Sequence, residues 1–139
     1  FGEGQLSTPF AYGQAKGRNR TTNKGLNSVD PAKFNAGVRY STVGWEVRMD
    51  VTHHAAKKAD DVDAATATAQ FVTPSATTLD LSGQWRIRKD LRLNVGIFNL
   101  TDKKYWNWAD VRGVASNSNV LDAYTQPGRN VRVSLVADF

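Results

Sequence analysis

Apolar and polar residues alternate with a period of two along most of this chain, and the connections between the alternating stretches are short and long in strict turn. Phe34, Ala36, Val38 and Tyr40 alternate with Asn35, Gly37, Arg39 and Ser41. After a short turn at Val43-Gly44, Trp45, Val47, Met49 and Val51 alternate with Glu46, Arg48, Asp50 and Thr52. A second pair repeats the design. Leu79, Leu81, Gly83, Trp85 and Ile87 stand against Asp80, Ser82, Gln84, Arg86 and Arg88; Lys89-Asp90 turns the chain, and Leu91, Leu93, Val95 and Ile97 stand against Arg92, Asn94, Gly96 and Phe98. The closing stretch sets Val131, Val133, Leu135, Ala137 and Phe139 against Asn130, Arg132, Ser134, Val136 and Asp138, and a weaker alternation starts near Gln5 and fades by Arg18. Only an extended strand turns a period of two into two faces. The pattern predicts antiparallel strands at 5–18, 34–42, 45–56, 78–88, 91–105 and 129–139, paired in sequence order.

The connections at 19–33, 57–76 and 109–127 are long, polar and rich in Gly, Asn, Thr, Ala or Asp. Loops of that length are uncommon in a compact soluble sandwich. Short turns at one end and long loops at the other are the rule in an outer-membrane barrel. A helical reading of 59–69 lacks an apolar stripe and is set aside. Tyr40, Trp45, Trp85 and Phe139 gather near the short-turn end and Tyr105, Trp106 and Trp108 near the long-loop end, as two aromatic girdles would. A closing strand that ends on an outward Phe fits the same girdle. Mean hydropathy is −0.47, and no apolar run approaches the roughly 20 residues of a membrane helix. Barrel strands hide half their residues from lipid, so that value is compatible with a barrel. Val47, Leu81, Leu93, Val133 and Leu135 would then face lipid. The charged inward positions Arg39, Arg48, Asp50, Arg86, Arg92 and Asp138 need a wet, wide lumen, and six strands with open edges cannot stand in lipid. The fold class is therefore all-β: the last six strands of a larger antiparallel transmembrane barrel, with residues 1–139 as the C-terminal part of one barrel domain. Phe1-Gly2 is an odd start for a gene product and reads as the edge of a fragment. A soluble β-barrel or sandwich binding module, its apolar face forming the core, is the alternative.

The net charge of +5 and pI near 9.7 come from scattered Lys and Arg, with no basic helix or basic-aromatic stripe, so no nucleic-acid partner is expected. Zero cysteines remove disulfides, thiolate metal sites and Cys nucleophiles. No Ser/His/Asp set or carboxylate pair stands out, so no catalytic residues are assigned and an enzyme is not expected. Asp60, Asp61 and Asp63 lack the spacing and glycine of a calcium loop, and no metal site is assigned. His53 and His54 are the only histidines, and imidazole is the usual protein ligand of haem iron. Alternation points His53 outward and His54 toward the lumen, so the pair reads as rim residues, with His54 the sole candidate for cofactor contact. Trp106, Trp108, Asp110 and Arg112, aromatic and charged on an exposed loop, are the candidate partner contacts.

Several stretches resemble the C-terminal end of TonB-dependent outer-membrane receptors. They are Asn27-Ser28-Val29-Asp30-Pro31 before a strand, Thr52-His53-His54-Ala55-Ala56-Lys57-Lys58, and Gly96-Ile97-Phe98-Asn99-Leu100-Thr101-Asp102-Lys103-Lys104-Tyr105-Trp106. Tyr124-Thr125-Gln126-Pro127-Gly128-Arg129 and the terminal Phe139 belong with them. Trp106-Asn107-Trp108-Ala109-Asp110-Val111-Arg112-Gly113 is closer to the haem/haemoglobin branch. The resemblance implies a twenty-two-stranded barrel closed by an N-terminal plug, importing haem from haemoglobin or another carrier with energy transmitted by TonB. Its partners would be outer-membrane lipid, the plug and the rest of the barrel, TonB, and the haem carrier. It implies no cofactor within this segment, haem being the transported ligand. The plug, the TonB-contacting segment and the family's haem-ligand loop are not in this sequence. A siderophore receptor of the same architecture is the alternative within transport.

Overall fold

The computed structural model describes residues 3–62 and 69–138. A single antiparallel sheet holds β1 (Gln5–Ser7), β2 (Phe10–Gly13), β3 (Lys33–Ser41), β4 (Trp45–His54), β5 (Ala76–Arg88), β6 (Leu91–Phe98) and β7 (Asn130–Ala137), in the order β1-β3-β4-β5-β6-β7, with β2 also on β3. Neighbours pair in sequence order, as the alternation predicts. The expected first strand is two short ones: Gln5 pairs with Ser41 and Phe10 with Ala36, so the register carries through the gap at Thr8-Pro9 unchanged. Pro9 has no N–H to give the ladder, yet its carbonyl still accepts from Gly37 N at 2.8 Å. That strand stops at Gly13, short of the expected 18, and beyond it Arg18 forms only an isolated bridge with Gly25.

The turn between β3 and β4 is held by Thr42, whose hydroxyl oxygen accepts from Gly44 N and Trp45 N. Between β5 and β6 the register slips at Arg86/Arg88 before the Lys89-Asp90 turn. The expected strand at 91–105 ends at Phe98, because Asn99 (φ 51) and Asp102 (φ 54) take left-handed backbone and bend the chain off the ladder. The last connection is also not a bare loop, since it contains the one-turn helix α1 (Trp108–Val111) and a 3₁₀ turn at Leu121–Tyr124. A second 3₁₀ turn covers Ala59–Asp61. Asp63 and Phe139, one weighed as a calcium ligand and the other as a girdle residue, lie outside the described residues.

Register fixes two faces. Rungs such as Trp45–Trp85–Leu93–Leu135, Tyr40–Val47–Gly83–Val95–Val133 and Val38–Met49–Leu81–Ile97–Val131 make one face continuously apolar. Val47 (43%), Leu81 (37%), Val133 (66%) and Leu135 (62%) are exposed there. Leu93 shares the face but stands half-buried between Trp85 and Leu135 near the short-turn end. Among the described residues the buried hydrophobics are Val62, Ala76, Trp108 and Val111, all at the long-loop end. The sheet thus has no covered apolar core, which excludes the soluble sandwich. Its exposed apolar face would cost far more in water than a soluble domain tolerates. The lower girdle holds, with Tyr40 and Trp45 ring centres 5.4 Å apart. The upper one is corrected. Phe10, Tyr12 and Phe34 form it on the outer face, while Tyr105, Trp106 and Trp108 lie beyond the bend at Asn99 and no longer follow strand alternation.

Candidate ligand-facing cleft beneath the loop layer

The three long connections pack together above the sheet around one indole. Trp108, 2% exposed, donates from Nε1 to Asn27 O at 2.6 Å. The Lys57 ammonium lies 5.1 Å from the centre of that ring and donates to Val29 O at 2.7 Å. Lys57 N donates in turn to Thr73 O, so residues from all three connections meet within one side chain's reach. Burial pulls the Lys57 pKa below the ordinary lysine value, against an opposing pull from Asp61 and Asp30. Val62 and Val111 complete the buried cluster, with Phe71, Val72, Trp106, Val114 and Leu121 packed against it. Trp106 donates from Nε1 to Leu121 O at 2.8 Å and meets the Phe71 ring edge-on at 5.2 Å.

Asn99 supports this layer from below. Only 4% exposed, it donates from Nδ2 to Lys103 O (2.8 Å) and Pro127 O (3.2 Å), and its Oδ1 accepts from Lys103 N (2.8 Å). Its own N–H goes to Asp80 Oδ1, and Asp102 Oδ1 accepts from Arg129 N. One Asx corner therefore ties β5, the end of β6 and the entry to β7. Alternation alone reads Asn99-Leu100-Thr101-Asp102 as strand. Two Asx residues three apart are the available signal for a left-handed bend.

A cleft of about 610 Å³ opens between the top of the sheet and the loops, lined by Lys33, His54, Trp106, Trp108 and Asp110 among others. His54 points inward as expected, its ring 5.4 Å from that of Tyr105. Burial first, then Asp80, raises the Tyr105 hydroxyl above the ordinary tyrosine range. His53 points the other way and bonds to Thr77 Oγ1 at 2.8 Å on the outer, apolar face. Of the four expected partner contacts, Trp108 is buried and Trp106 half-buried, because indoles are the material of the loop core. Asp110 is exposed, its carboxylate accepting from Gln126 Nε2 at 2.8 Å, and Arg112 is exposed away from the cleft. Among the described residues no three His, Asp or Glu side chains gather as metal ligands. A guest here would meet indole rings and one imidazole, with one lysine set against the two carboxylates of Asp30 and Asp110.

Below the cleft the inner face is polar. Arg48 grips Asp50 with two bonds of 2.5 and 2.8 Å, Arg39 pairs with Glu46 at 2.5 Å, and Arg92 with Asp138 at 3.2 Å. Phe98 lies over Gly96, where a Cβ would come within 2.7 Å of its ring, and the Arg132 guanidinium sits 5.0 Å from the ring centre. Charges that bond one another along the sheet suit a water-filled lumen wall.

The model of the TonB dependent receptor-like β-barrel family matches residues 4–100. The chain belongs to this family. Among its curated relatives, hemoglobin-haptoglobin-binding protein A of Haemophilus influenzae is 30% identical over 96% of this chain. Transferrin-binding protein A of Neisseria meningitidis serogroup B is 28% identical over 82% of it. The chain spans about 15% of the length of either relative. Among solved structures, the copper transporter OprC superposes with a TM-score of 0.82 over 96% of this chain and 21% of its own, at 19% identity, a likeness of fold. The sheet is thus a partial wall of a TonB-dependent receptor barrel, and its two open edges are where further strands of such a barrel pair.

Proposed function

We propose that this segment is the closing part of the wall of a twenty-two-stranded outer-membrane receptor that imports haem taken from haemoglobin or a related carrier, with TonB supplying the energy. The exposed apolar face, rimmed by aromatics and backed by a hydrogen-bonded charged face, supports a lipid-embedded wall around a wet lumen. The choice of haem rests on the likeness to the hemoglobin-haptoglobin-binding relative across nearly the whole chain. The segment's part is to carry lipid on one side, the plug on the other, and an ordered loop layer at the mouth. Binding and passage, with no chemical conversion, are the activity. The test is growth of a gene-deleted strain on haemoglobin as sole iron source. Loss of growth there, with growth on a ferric siderophore intact, is the expected result. The opposite pattern would make the protein a siderophore receptor.

A further inference from the structure

We infer that the inner row of β5, Ser82, Gln84 and Arg86, is the seat of a part of the receptor chain that lies inside the barrel, its plug, and that this part meets Arg86 with a carboxylate. The inference rests on the barrel-wall reading above. Alternation turns these three side chains to the lumen, and among the described residues none of them makes a hydrogen bond or ion pair. Their neighbours are bonded away from them. On the β4 side Arg39 takes Glu46 and Arg48 takes Asp50, and on the β6 side Asn94 takes Ser134 and Arg92 takes Asp138. One row of donors is thus left bare between flanking polar side chains that close on one another.

The charge balance singles out Arg86. It stands directly opposite Arg92, and like charges so placed repel. Arg39 and Arg48 are opposed in the same way, but each has its own carboxylate. Here Asp138 answers Arg92 and, among the described residues, nothing answers Arg86. On its other side Arg86 N donates to Gly44 O, and Gly44 has no side chain to offer. Further wall strands cannot supply the acid either. The next strand beyond β7 is the third from β5, about 14 Å away at ordinary strand spacing. The acid must come from within the lumen. On the loop side of Arg86 a groove of about 810 Å³, lined by Arg48, Ser82, Gln84, Phe98 and Arg132 among others, gives an extended segment room to lie. Such a segment is available. Six strand positions would be over a quarter of a twenty-two-stranded wall, yet the chain covers 15% of the hemoglobin-haptoglobin-binding relative and 21% of OprC. Chains of this kind therefore hold length beyond a wall built at this rate, and Arg86 offers it a forked guanidinium that takes a carboxylate by two bonds. An anionic cargo in transit is the competing occupant, but it would leave Arg86 bare at rest, so a resident acid is the better answer.

The test uses the full-length receptor in lipid vesicles. Gln84→benzoylphenylalanine is irradiated and its cross-links are mapped by mass spectrometry, with Val47→benzoylphenylalanine on the outer face as control. Position 84 should join to a peptide that precedes this segment and lies outside the wall strands, with Asp or Glu within a few residues of the joint. Position 47 should join to no protein peptide. Arg86→Gln should then speed amide hydrogen exchange of the mapped peptide by at least about tenfold with the sheet amides unchanged, and Arg86→Lys should recover part of the protection. Exchanging the charges, Arg86→Glu with the mapped acid changed to Arg, should restore it. No cross-link from position 84, cross-links only to wall peptides, or unchanged exchange in Arg86→Gln overturns the inference. So does weaker haem binding by Arg86→Gln with that exchange unchanged, which would make the row a station for cargo. A receptor in which position 47 cross-links to protein as position 84 does refutes the barrel wall, and the inference falls with it. With position 47 silent, a silent position 84 sinks the inference alone.

Discussion

An arginine placed on the apolar face should cost stability according to its rung. On β5 the outward positions run Ile87, Trp85, Gly83, Leu81, Leu79, Thr77, so Leu81 lies in the middle of the strand, opposite Met49 on one side and Ile97 on the other. Leu93 pairs with Trp85, two rungs nearer the short-turn end. Two rungs are four residues, about 13 Å along the strand and about 10 Å in depth at a tilt near 40°. Leu81→Arg therefore sits near the midplane and should destabilise the full receptor by about 2–4 kcal/mol, against about 0–1 for Leu93→Arg near the interface. A guanidinium at 93 reaches water by extending its stem past the tryptophans. Asn94→Arg faces the lumen and loses one exposed 3.2 Å bond to Ser134 Oγ, so it should cost under about 1 kcal/mol. The assay is reversible denaturant unfolding of the full receptor into lipid vesicles, followed by tryptophan fluorescence. Three equal costs, or a larger one at 93 than at 81, would show that these rungs do not measure depth in a bilayer.

Asn99→Ala removes three carboxamide bonds and leaves at φ 51 a residue that lacks asparagine's tolerance of left-handed backbone, so it should cost about 3 kcal/mol in the same unfolding assay. Asn99→Gly, which relieves only the backbone strain, should recover about 1 of them. Trp108→Phe keeps an aromatic ring but removes the indole donor to Asn27 O. Local opening across 25–30 should then become easier by about 1–2 kcal/mol, read as faster hydrogen exchange there with the sheet amides unchanged. Replacing His53 and His54 together by Ala in the full receptor should leave the haem absorption spectrum and affinity unaltered, since the two rings lie on opposite faces. A shifted Soret band would place haem against β4.

Strands, partners and faces are legible in this sequence because a period of two reports directly on a ladder, and the ladder is most of this molecule. Pro9 shows how far that legibility goes: it interrupts the strand without moving the register, since one missing N–H removes one bond and no side chain changes face. Past Asn99 the same rule misleads. Alternation carried beyond Phe98 puts Tyr105, Trp106 and Trp108 in the lipid girdle, whereas the left-handed bend sends them inward over the mouth. Nothing local to Asn99 names Pro127, twenty-eight residues on, as the acceptor that makes the bend worth its strain, nor does anything near Trp108 name Asn27. Lys57 is illegible for a related reason, because a lysine in a polar loop looks solvated until an indole and a carbonyl from two other loops close on it. Apolar side chains in this chain answer to two different surroundings, the outside of the barrel wall below the last rung and neighbouring loops above it. Hydrophobicity alone cannot say which, but the residue at which the ladder ends can.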